Sequence, residues 1–121
     1  MKDLLNEARL ASKNALPARS GIKVGCAIEL DDDEIILGWN IEGSWQTSLH
    51  AEVSAISRIS NSDKVISRVA IYAKGVDFAP CGACLDWLMM FSSRVTLLLT
   101  SNGKDEKEYL ITDLYPNYPK L

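Results

Sequence analysis

The chain has 121 residues, 47% of them hydrophobic and 24% charged, a balance that suits a soluble globular protein and excludes a disordered or fibrous one. That length is enough for one compact core, so residues 1–121 are expected to form a single domain. The net charge of −3, from 13 Lys and Arg against 16 Asp and Glu with no clustered basic stripe, argues against a nucleic-acid partner.

In chain order, Leu4, Leu5, Ala8, Ala11 and Ala15 recur at helical spacing, and Pro17 follows closely enough to stop this first helix. Lys23 to Leu30 and Ile35 to Trp39 are short apolar runs around the polar turn Asp31-Asp32-Asp33-Glu34, which predicts a hairpin. Leu49 to Ile59 reads as a second helix, with Val53, Ile56 and Ile59 on one side. Val69 to Ala73 reads as a buried strand and Cys81 to Phe91 as a third helix with Pro80 just before it. Val95 to Thr100 reads as a further strand closed by Ser101-Asn102-Gly103. Tyr109 to Ile111 is the candidate edge strand, and Pro116 and Pro119 keep the tail irregular. Alternating strands and helices predict an α/β sandwich with crossover helices, in which the second and third helices start at the same edge of the sheet. The longest apolar runs are too short to span a bilayer and the first residues lack a signal-peptide stretch, so a cytoplasmic protein without membrane contact is expected. Three cysteines are too few for a disulfide framework; Cys26, in an apolar run, is expected in the core.

The other two cysteines carry chemistry. Cys81 and Cys84, three apart on a helix, share the face of its first turn and can reach one ion, while exposed helix N–H groups favour their thiolates. With the nitrogen of His50 they make three ligands suited to tetrahedral zinc. The fourth position stays open, so a bound water could ionise near pH 7. Glu52 would sit beside that water and carry its proton to a substrate nitrogen. A Cys-x-x-Cys pair alone could instead be a redox pair or half of a structural zinc site. The redox reading expects the pair after the first strand, and a structural site needs a fourth ligand where the chain has no second histidine.

His50-Ala51-Glu52 together with Pro80-Cys81-Gly82-Ala83-Cys84 resembles the cytidine deaminase family, whose signature is H-x-E with P-C-x-x-C. Val24 to Ile28, Asn40-Ile41-Glu42, His50 to Ser57 and Leu114-Tyr115-Pro116 follow the family's order over about three quarters of the chain. The resemblance implies a three-layer α/β/α sandwich around a mixed sheet of about five strands, and one zinc ion per chain. It also implies hydrolytic deamination of a cytidine-like nucleoside, and a homotetramer whose pockets neighbouring subunits complete. It further implies that Asn40 and Glu42 hold the sugar hydroxyls and that the Ala51 backbone N–H meets the pyrimidine carbonyl.

The chain also departs from the family. Many small members have Cys at the place of His50 and Arg at that of Val53. Three thiolates on zinc leave a net charge of −1 that an arginine offsets, whereas one imidazole and two thiolates leave none. Leu85-Asp86 replaces the usual Arg-Gln. Ile22 stands where a base-stacking Phe is usual, the expected C-terminal Phe is replaced by the Tyr118-Pro119 region, and Trp45 lies in a loop one residue short. Two alternatives stay open at this point: the same chemistry on another aminated heterocycle, and a catalytically idle zinc-binding homologue.

Overall fold

The computed structural model describes residues 3–45 and 47–119. Helix α1 (Leu4–Ser12) is capped by Asp3, whose carboxylate accepts from the Asn6 N–H at 3.2 Å. Strands β1 (Val24–Leu30) and β2 (Ile35–Trp39) form the expected hairpin, with Asp33 in the left-handed region at φ 69° in its turn. A short antiparallel ribbon of β3 (Ile41–Glu42) and β4 (Ser48–Leu49) leads into α2 (Ala51–Ile56). Strand β5 (Ile66–Ala73), helix α3 (Gly82–Met89) and strand β6 (Ser92–Ser101) make a parallel crossover unit. Strand β7 (Glu106–Leu110) and helix α4 (Ile111–Leu114) follow.

The main sheet has the order β2-β1-β5-β6-β7. β2, β5 and β6 run one way and β1 and β7 the other, so the five-stranded sheet is mixed. The hairpin reverses the chain once, so α2 joins two strands of like direction, β2 and β5, as α3 joins β5 and β6. Both helices therefore begin at the same sheet edge, as the sequence predicts.

Side chains alternate along the strands and divide the core into two layers. Cys26, Ile28, Val69, Ile71 and Leu98 face Ala55 and Ile56 of α2, Leu85, Leu88 and Met89 of α3, and Ile111 of α4. Ala27 and Ala70 face the other way, against Leu4 and Ala8 of α1. Fully buried side chains such as Ile28, Ile71, Leu88 and Leu98 each contribute about 1.5–3 kcal/mol of burial. Two glycines set how closely the helices approach. A Cβ on Gly25 would strike the Ala8 carbonyl of α1, and one on Gly38 would strike the Ala51 carbonyl and Ala55 nitrogen of α2. Behind the sheet, on the α1 side, Glu29 and Arg68 are paired in register and joined by two bonds of 2.8 Å.

Several boundaries differ from expectation. Helix α1 stops at Ser12 rather than Ala15, because Lys13, Asn14 and Ala15 donate only to carbonyls three residues back and Pro17 keeps Leu16 out of helical geometry. Leu49 pairs with Ile41 as strand, so the second helix starts two residues late and ends early, at Ile56. β5 and β6 begin at Ile66 and Ser92, where backbone pairing extends past the apolar runs. The edge strand is the polar stretch Glu106–Leu110, and Ile111 instead starts α4, its side chain buried. The unforeseen strands β3 and β4 are only two residues long each and carry no periodic signal.

Candidate active site and metal centre

His50 and Cys81 are the N-cap residues of α2 and α3, held in extended conformation by φ −72° and −69°. The His50 ring makes no cap bond to its own helix. It turns to α3 instead, with Nδ1 3.2 Å from Cys84 Sγ and 3.5 Å from Cys81 Sγ. Cys81 Sγ also accepts from the Cys84 N–H at 3.4 Å, so the helix start orients both sulfurs. The three ligating atoms all lie within 4.8 Å of one another.

This donor set fits zinc. Tetrahedral bonds of about 2.0 Å to nitrogen and 2.3 Å to sulfur put neighbouring ligand atoms roughly 3.5 Å apart, close to the distances here. Burial, the Glu52 carboxylate and the Cys81 thiol push the Cys84 thiol far above its ordinary range. A divalent cation between these groups reverses that preference, since it favours thiolate over thiol. Among the described residues His50, Cys81 and Cys84 are the protein groups assembled there, which leaves a tetrahedral ion one open position.

Glu52, in the first turn of α2, is 4% exposed. Burial raises its pKa, opposed by its own backbone N–H, the Cys84 thiol and the His50 ring, so the carboxylate lies beside the ligand cluster. Cys26 lies in the core as expected, and burial and the Glu52 charge both push its thiol upward.

A cleft of about 260 Å³ opens onto His50, Glu52 and Cys81, lined also by Ile22, Asn40, Glu42, Ala51 and Phe78. All seven candidate site residues are thus gathered at one edge of the sheet: six line this cleft, and Cys84 lies against His50 behind it. The two sugar-site candidates are also structural braces. Asn40 Oδ1 accepts from the Val24 N–H and Nδ2 donates to the Ile22 carbonyl, both at 2.9 Å, leaving one amide proton and one lone pair for a ligand. Glu42 Oε1 accepts the Arg19 and Ser20 N–H groups, each at 2.8 Å, and these bonds, Ser20's foremost, hold its carboxyl below the ordinary range. Arg19 in turn donates to the Thr47 carbonyl and Ser48 Oγ, tying the loop after α1 to the β3–β4 ribbon. Trp45 does not line the cleft and is 90% exposed, and Tyr118 packs edge-on against Tyr115 at 5.3 Å. Sequence reasoning did not single out Phe78; the one signal for it is an aromatic two residues before Pro80, ahead of a ligand pair.

A family model described as the cytidine and deoxycytidylate deaminase zinc-binding region matches residues 1–99. The chain belongs to this deaminase family. Membership makes it a hydrolytic deaminase with a zinc-binding region, and the ligand cluster supplies the place for one ion. The fold of the deaminase is similar to that of a cytidine deaminase from Burkholderia pseudomallei, at 23% identity over 98% of this chain and 100% of that one, with a TM-score of 0.86. It is also similar to cytidine deaminases from Mycobacterium tuberculosis (24% identity, 98% and 95% of the two chains, TM-score 0.81) and Mycobacterium leprae (26%, 94% and 95%, TM-score 0.79). A comparison with curated proteins gives no match. Among the described residues of the deaminase, no helix is long and apolar enough to cross a membrane.

Proposed function

We propose that this deaminase converts a cytidine-like nucleoside, cytidine or deoxycytidine, to the uridine-like product and ammonia, with residues 1–121 working as one domain. The observation that carries the reading is the joint placement of a buried Glu52 and the His50, Cys81 and Cys84 cluster at the floor of one nucleoside-sized cleft. His50, Cys81 and Cys84 would hold a zinc ion, which would supply the acidity that lets a water ionise near neutral pH. Glu52 takes one of the attacking water's two protons and passes it to the ring nitrogen, then moves the second, from the hydroxyl left on the ring carbon, to the departing amine, so that the carbonyl forms as ammonia leaves. The low-dielectric floor strengthens each of these contacts. Ala51 presents a first-turn N–H, a donor without an intrahelical partner, to the pyrimidine carbonyl.

Asn40 and Glu42 hold the sugar. Glu42 has one carboxylate oxygen committed to the backbone of Arg19 and Ser20, and its charge disfavours a phosphate at the neighbouring position. A free nucleoside is therefore preferred over a nucleotide in a strand or a bare base, as fits salvage of pyrimidines. Two ligand thiols that must stay reduced suit the cytoplasm.

The chain assembles as a homotetramer in which neighbours cover the cleft mouth. Trp87 of α3 and Met90, its C-cap, are 46% and 57% exposed, and Leu16, Ile41, Trp45 and Leu49 are exposed around the ribbon, whereas Met89 is buried and Phe91 packs on the core. One observation favours a second substrate class: aliphatic Ile22 lines the cleft, so another aminated heterocycle remains a candidate.

The test is ammonia release from cytidine, deoxycytidine, cytidine monophosphate and cytosine, repeated with Glu42→Gln. The nucleosides should have the highest kcat/KM, and Glu42→Gln should narrow their lead over cytosine. A preference for cytosine or the monophosphate sinks the reading.

A further inference from the structure

We infer that Phe78 is the residue that recognises the planar face of the substrate ring, a role resting on the deaminase reading above. Phe78 is the one aromatic among the described residues lining the cleft; Ile22, Val24, Leu49, Ala51 and Ala79 make up the rest of its apolar wall. The ring is half buried and packed against the main core cluster, so it meets a ligand as a fixed surface and loses little freedom on binding.

The loop that carries Phe78 is itself anchored. Gly75 donates to the Asn102 carbonyl at 2.8 Å, Val76 to the Ala73 carbonyl at 3.2 Å, and Asn102 Nδ2 to Asp77 Oδ1 at 2.7 Å. Three residues later the same loop ends in Cys81, the N-cap of α3 and a ligand. The distance between the aromatic wall and the metal centre is therefore set by one short, tethered segment. A ring lying against Phe78 is held in register with the ligands, which selects for flat, unsaturated heterocycles rather than for hydrogen-bonding pattern alone.

The experiment compares uridine, the expected product, with 5,6-dihydrouridine, which keeps the sugar and the carbonyl edge but has a puckered, saturated ring. Affinities are read by calorimetry on the zinc-loaded protein. The parent should bind uridine about 3- to 10-fold more tightly, and Phe78→Leu should bring the ratio close to one. Ile22→Phe, placed on the same cleft in the Phe78→Leu background, should restore part of the ratio. Phe78→Trp should preserve it and serves as the informative variant if Phe78→Leu does not fold. A ratio unchanged by Phe78→Leu, in protein that still releases ammonia from cytidine, or a ratio lost in Phe78→Trp, overturns the assignment and leaves the deaminase reading standing. A parent that neither binds uridine nor deaminates cytidine overturns both.

Discussion

Gly38 controls how closely α2, with His50 at its start and Glu52 in its first turn, approaches the sheet, so Gly38→Ala should damage the metal centre without touching it. Gly38 sits on β2 directly under α2. A Cβ there would stand 2.9 Å from Ala55 Cα, where ordinary contact is 3.4–4 Å, and closer still to the Ala51 carbonyl and Ala55 nitrogen. These are backbone atoms of one helical turn, so no side-chain rotation relieves the clash, and α2 must retreat from the sheet by about 1 Å in a close-packed interior. His50 and Glu52 ride on that turn while Cys81 and Cys84 stay on α3. A shift of that size stretches the 3.2 and 3.5 Å separations of His50 Nδ1 from the sulfurs well beyond those of a tetrahedral site. The expected cost is about 1–3 kcal/mol of stability from overpacking. In the folded fraction, zinc affinity should fall roughly 10–100-fold by chelator competition and kcat by about 100-fold. Gly25→Ala is the control: its Cβ would meet Ala8 and Ser12 of α1 on the opposite face, so it should lower Tm comparably yet keep zinc affinity. Wild-type zinc affinity and kcat in folded Gly38→Ala, or equal zinc loss in both variants, would mean that Gly38 does not set the position of His50.

Glu52→Gln should retain one zinc per chain and an unchanged Tm but lose roughly 10²–10⁴-fold in kcat, since the amide cannot accept a proton; ammonia release with metal analysis checks both. Stripping the metal with a strong chelator should abolish turnover and lower Tm, because His50 joins α2 to the Cys81 and Cys84 ligands of α3 through the ion. Zinc should restore both, and a Tm indifferent to zinc would remove the bridge from the account. Glu29, whose carboxyl the Arg68 guanidinium holds below its ordinary 4.5, adds stability that is fully present above that value and lost as pH falls through the depressed folded value. Glu29→Gln should therefore cost about 1 kcal/mol near pH 7 in denaturant titrations, with the gap to the parent closing below the ordinary carboxylate range. Trp87→Glu with Met90→Glu should reduce a tetramer to smaller species in light scattering; a parent that is monomeric at working concentration removes the assembly proposal.

Features that depend on near neighbours in the chain are legible from residue order. The Cys81–Cys84 spacing puts two sulfurs at one helix start, Pro80 and the apolar residues behind it mark where that helix begins, and the apolar run around Cys26 puts that residue in the core. Two thiols and an imidazole pointed to zinc by their donor chemistry, and the family resemblance added the sheet of five strands and the deaminase class, because H-x-E and P-C-x-x-C together are rare. How these pieces meet depends on contacts between distant parts of the chain. His50 and Cys84 lie 34 positions apart, and it takes the hairpin's reversal and two crossover helices to bring them within 3.2 Å. The braces on Asn40 and Glu42 come from backbone groups some 16 to 23 positions away, which residue type does not reveal. The glycines at 25 and 38 look alike in sequence, yet one admits α1 and the other α2, because pleat parity sends them to opposite faces of the sheet. Phe78 gives little sequence signal for the same reason: a lone aromatic in a loop has no period, and only the path of that loop beside the cleft gives it a surface to present.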